Sequence, residues 1–171
     1  LEVIKLTFKN GSNELLQDFL NNYIDIGILE TFIDPTLSLI ASSTLTIFAY
    51  IFGLSKEVIF VLNENGFYDF IFDIYTDADF NVKLAIVHAI AATINNGTTS
   101  VIDELLSINE DILNMLADAL DTNNFPELQS EISRALMVLS NLPSFNDDEI
   151  YSMIIPILND ISFNNFQMLE D

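Results

Sequence analysis

The chain has no cysteine. That excludes a disulfide framework, a thiolate nucleophile and any zinc site built on Cys, and it fits a reducing compartment. Basic residues are almost as scarce. Lys5, Lys9, Lys56, Lys83 and Arg134 stand against 26 acidic residues, for a formal charge of -21. Such a balance repels nucleic-acid phosphates and anionic lipid, so neither nucleic acid nor a membrane surface is expected as a partner. It favours a basic partner, or it keeps an apolar protein soluble through solvated helix faces.

Chemistry-bearing motifs are missing too. There is no phosphate-cradling Gly loop and no nucleophile motif. His88 is the single histidine, and a lone His in an apolar helix is a packed or hydrogen-bonded residue before it is a ligand or a base. Asp121-Thr122-Asn123-Asn124 looks like the start of a calcium loop but lacks the loop Gly and the closing Glu of an EF-hand. The carboxylate pairs Asp77-x-Asp79 and Asp103-Glu104 read as helix caps and solvated faces, and the acidic run Asp147-Asp148-Glu149 as a helix start. No catalytic residue, metal or cofactor is expected. Leu1 is preceded by neither an initiator Met nor a basic n-region, so no signal peptide is expected. Helical patterns run into both ends, as in a piece of a longer array.

What is present is apolar and periodic. Half of the 171 residues are hydrophobic, with a mean hydropathy of +0.38, so the chain has the material for a core and is not disordered despite its charge. Residues 35–55 carry no charge at all, a length that would span a bilayer. However, seven of them are Ser or Thr, and the segment falls in frame with charged helices around Lys83 and Arg134, which favours a buried helix.

The frame comes from an internal echo. Thr7-Phe8-Lys9-Asn10-Gly11 matches Thr93-Ile94-Asn95-Asn96-Gly97, and segments ending at Phe52 and Asn141 fall in the same register. Lys9, Phe52, Asn95 and Asn141 are therefore equivalent, at intervals of about 43 residues. A helical period of roughly 40–47 residues denotes a solenoid of stacked helices, a binding architecture with a long open face. The spacing predicts two short helices and a long one per unit. In the clearest unit they are 56–64, 67–75 and 81–95, punctuated by Asn65-Gly66, Asp77 or Asp79, and Asn96-Gly97. The preceding unit has a short helix over 28–33, with Gly27 in the place of Gly66 and a break at Pro35. The following unit has helices over 101–107 and 112–120, with Pro126 opening the third. Unit boundaries fall at 1–11, 12–54, 55–97, 98–144 and 145–171. Ala89, Ala92 and Ala135 are small where long helices cross their neighbours.

Ala135 to Asn141, Ala-x-x-x-Leu-Ser-Asn, resembles the third helix of an armadillo repeat. The stretches 78–83 and 89–97 and the run Ile154-Ile155-Pro156-Ile157-Leu158 are similar to importin-α. The resemblance implies an all-α armadillo right-handed superhelix, an alpha-alpha solenoid. It implies a nuclear import adaptor of cytoplasm and nucleus that holds an extended lysine-rich localisation signal in a concave groove, with importin-β as a further partner. In that family a Trp and, four residues later, an Asn recur on the third helices. Residues i and i+4 share a helical face; the amide bonds the peptide backbone and the ring walls a slot for a lysine stem.

Carried onto this chain, the Asn positions are Asn95 and Asn141, with Phe52 and Lys9 in the earlier repeats. The Trp positions are Met137, Phe48, Ala91 and Lys5, and the chain has no Trp. The implied peptide-binding residues are Asn95, Asn141, Phe48, Phe52 and Met137. Two readings stay open at each. The asparagines either end helices or grip a ligand, and the Phe48/Phe52 pair is either core or binding surface. The expected function is protein binding. The alternatives are a non-transport armadillo scaffold in adhesion, signalling or cytoskeletal assembly, and a helical regulatory segment of a larger enzyme.

Overall fold

A computed structural model of the chain describes residues 4, 6–8, 11, 12, 14, 17, 18, 25–109, 111–122 and 125–142. Expectations placed on Lys5, Lys9, Asn123, Asn124, residues 147–149 and residues 154–158 lie outside them. Among the described residues there is helix and no strand. The chain divides into two compact units, Leu1–Glu110 and Asp111–Asp171, and each is taken by itself.

In the first unit, α1 spans Ile26–Glu30, α2 Ser38–Leu54, α3 Lys56–Glu64, α4 Phe67–Tyr75, α5 Phe80–Asn96 and α6 Thr99–Ile108. The starts are set by local chemistry. Ser55 caps α3 by accepting from the Val58 N–H, Asp79 caps α5 by accepting from Asn81 and Val82, and Thr98 caps α6 by accepting from Val101. Gly66 stands at φ 76°, and this left-handed residue turns the chain from α3 straight into α4. Gly97 works differently. Its backbone is extended and its N–H donates to the Thr93 carbonyl at 2.6 Å. A Cβ there would lie 2.7 Å from the same oxygen, so close approach, not handedness, requires glycine. Gly27 is not the counterpart of Gly66. Asp25 accepts from the Ile28 N–H at 3.2 Å and starts α1 before the glycine, which lies inside the helix.

The core of this unit forms where α2 packs along α5, with α4 against α5 and α6. Buried Phe48 and Phe52 from α2 meet Phe67 from α4 at ring distances of 5.1 and 6.0 Å, and Tyr68 stands edge-on to Phe67 at 5.5 Å. Each such ring removed from water stabilises the fold by about 1.5–3 kcal/mol. The buried Tyr68 hydroxyl lies 2.8 Å from the Thr93 hydroxyl. Thr93 donates its one proton to the Ala89 carbonyl at 2.9 Å, so Tyr68 is the donor in the pair. Burial pushes the Tyr68 hydroxyl far above its ordinary pKa, and the bond to Thr93 only partly opposes this.

The charge-free stretch becomes α2. No helix among the described residues is long and apolar enough to cross a membrane. Two of its hydroxyls are satisfied within the helix: Thr44 donates to the Ile40 carbonyl at 2.9 Å and Thr46 to that of Ser42 at 2.8 Å. Ala89 and Ala92 on α5 are fully buried, as close helix approach demands.

In the second unit α7, Ile112–Thr122, packs with α8, Pro126–Ser140. Pro126 occupies the first turn of α8, where its missing N–H costs nothing. Ile112, Leu116, Ile132 and Leu136 are buried, with Ala135 beside them.

Candidate functional site

The long helices carry the candidate site. In the first unit α2 and α5 are each 17 residues long. The Ser38 side chain lies by the Asp79 carboxyl at their starts and helps hold it below the ordinary carboxylate pKa, and the Tyr50 and His88 rings meet edge-on at 5.7 Å further along. These two links set the helices side by side in the same direction. Their first residues, Ser38 and Phe80, and their last, Leu54 and Asn96, are both 42 positions apart.

The sequence frame of about 43 thus differs from the structural one by a residue. One residue turns a helix by about 100°, and that rotation decides which side chains reach solvent. On α2 the residues with exposure include Leu39, Ile40, Ser42, Thr46, Tyr50 and Gly53. On α5 they include Asn81, His88 and Asn95. Gly53, not Phe52, is the counterpart of Asn95.

This corrects two expected site residues. Phe48 and Phe52 are each 0 % exposed, and their rings belong to the cluster around Phe67. They are core, not peptide-binding surface. Ala91, at another Trp position of the resemblance, is also 0 % exposed. Sequence reasoning passed over Thr46 and Tyr50. Polar atoms recurring every three or four residues in an otherwise apolar helix were the signal for them. His88, read as a packed residue, is half-buried on the same face.

Asn95 is half-buried near the end of α5. The helix-closing role falls to its neighbour, since the Asn96 amide donates to the Ala92 carbonyl at 2.8 Å. Asn141 also closes its helix. In the second unit its amide donates to the Met137 carbonyl at 2.7 Å and its backbone N–H to Val138 at 3.1 Å. An amide engaged this way has its carbonyl oxygen to offer a ligand. Met137 is 58 % exposed and shares a face of α8 with Arg134 and Asn141.

The charge is unevenly placed. α2 and α5 contain no acidic residue, and the cation on α5, Lys83, lies 5.3 Å over the Tyr75 ring. Acidic side chains stand exposed on the short helices instead, as Glu57 and Glu64 on α3 and Asp69 and Asp73 on α4. Glu104 accepts from the buried Asn63 amide at 2.6 Å and ties α6 to α3. No group of metal-ligating side chains gathers among the described residues.

No family model matches the chain, and no curated protein does. A solved structure is similar in fold: a designed armadillo repeat protein in complex with the peptide (KR)4, 18% identical, with a TM-score of 0.60 over 92% of this chain and 72% of that one. Together with the short, short, long order of α3, α4 and α5, this defines the class. The chain has an all-α, armadillo-like solenoid fold.

Proposed function

We propose that the chain is part of a peptide-binding armadillo scaffold. It takes an extended segment of another protein along the open faces of its long helices and performs no chemistry of its own. One observation carries the reading. α2 and α5 lie side by side, and the face they leave open bears hydroxyl, imidazole and amide groups from Thr46, Tyr50, His88 and Asn95. Such groups bond the backbone of a guest chain without demanding a particular sequence. The neighbour of similar fold was solved with a peptide bound, which supports a peptide as the ligand class.

The narrower form of the proposal is an importin-α-like nuclear import adaptor of cytoplasm and nucleus, holding a lysine-rich localisation signal, with importin-β as its transport partner. The charge of -21 and the exposed Met137 and Asn141 support it. A second reading, a non-transport scaffold, is favoured by a specific feature. The α2 and α5 faces offer no carboxylate to a lysine, and the positions of the family's Trp in these helices are core.

Titration separates these. For an adaptor, the chain binds a lysine-rich peptide at least about tenfold more tightly than an acidic scramble, a difference of ~1.4 kcal/mol. That preference shrinks as salt rises, and Asn95→Ala weakens binding. Binding without charge preference leaves the scaffold and removes the adaptor. No binding of any extended peptide removes both.

A further inference from the structure

At the edge of the first unit where α2 and α5 begin, three large apolar side chains face solvent. Leu37 is 51 % exposed, Leu39 75 % and Phe80 54 %. Leu37 and Leu39 flank Ser38 at the start of α2, and Phe80 opens α5, the helix packed along it. Single exposed apolar residues are ordinary, but a cluster rimmed by charge marks a contact surface. The rim is anionic. Asp34, Asp77 and Asp79 are exposed, and none of the three is in an ion pair among the described residues. Hydrogen bonds from Thr36 to Asp34, and from Ser38 and the α5 backbone to Asp79, keep both carboxylates ionised. The two helix starts add only about half a positive charge each, so three carboxylates dominate the local field.

We propose that this edge is a second docking surface, for a basic amphipathic segment of a partner protein. Apolar anchors of the segment cover Leu37, Leu39 and Phe80, and its lysines or arginines answer Asp34, Asp77 and Asp79. A second copy of the chain is a poor occupant, because like charge of this size repels on approach. The surface is displaced along the helix axis from the Tyr50–His88 pair. Leu39 and Tyr50 are separated by eleven residues of α2, roughly 16 Å along the axis.

The test uses the full chain and a fluorescent peptide with Leu and Phe anchors at helical spacing flanked by lysines, read by anisotropy. Its controls replace the anchors by Ser or the lysines by Glu. Binding of the parent peptide should weaken at least tenfold in the Leu39→Ser/Phe80→Ser double variant, whose circular dichroism matches the parent. It should weaken severalfold in Asp34→Asn/Asp77→Asn. Binding of the parent peptide by the Leu39→Ser/Phe80→Ser variant equal to that of the unaltered chain would overturn the proposal. So would self-association in sedimentation that the double variant abolishes, since the edge would then be an interface between copies.

Discussion

α2 and α8 are both long helices, and they treat their apolar residues differently. α2 has nine buried residues in 17 and no charge. α8 has five buried in 15 and carries Glu127, Glu131 and Arg134. A helix apolar around most of its circumference is enclosed by neighbours, whereas an amphipathic one shows its solvent face in its pattern. In α8 the exposed positions Arg134, Met137 and Asn141 are therefore readable from spacing. In α2 the open face is not, and a frame wrong by one residue places Phe52 on it, while the position four residues earlier is buried in either frame.

The contrast can be tested by substitution. Truncating Phe48 to Ala opens a cavity in the Phe67 cluster and should lower unfolding free energy by about 3–5 kcal/mol. Met137→Ala should change it by less than about 0.5 kcal/mol. Urea midpoints measure both, and similar values for the two would end the distinction between core and surface. Placing a Trp where the resemblance implies one gives a sharper version. Ala91→Trp overpacks a fully buried site and should cost at least about 1–3 kcal/mol, while Met137→Trp is accommodated at a 58 % exposed position with little change.

A smaller effect concerns the polar link within the core. Thr93→Val leaves the Tyr68 hydroxyl buried without an acceptor, at about 1–3 kcal/mol. Tyr68→Phe should cost less, because Thr93 still donates to Ala89. Equal losses would mean that Tyr68 is not the donor.

The smallest expected effect is in acid. Asp34 and Asp79 have folded pKa values below their ordinary 3.8. Their contribution is therefore complete above that value and is lost as pH falls through the lower folded values. The urea midpoint of the parent should drop more steeply below pH 3.8 than that of Asp79→Asn, which keeps a capping side chain but cannot titrate. Parallel curves would contradict the lowered Asp79 pKa.

Much of the helix layout was legible. The predicted helices over 56–64 and 67–75 are α3 and α4, because Ser55 and Asn65-Gly66 act through bonds that span only three or four residues. The α1 boundary was not, since the Asp25 cap outcompeted the stop read at Gly27. Of the expected site, Met137 and Asn141 are exposed, Asn95 is half-buried, and Phe48 and Phe52 are interior. Equivalent residues were aligned by letters, and letters tolerate a one-residue slip that a helix converts into a change of face.

The sequence by itself determined that this protein is helical, acidic and without cysteine chemistry, with a short, short, long succession in α3, α4 and α5. Caps, glycines and apolar spacing act locally and need no distant partner. Only the tertiary structure decided the rotation of α2 and α5 about their axes. That angle is set by which side chains interlock where α2, α4 and α5 meet, and it is what buried Phe48 and left Tyr50 beside His88.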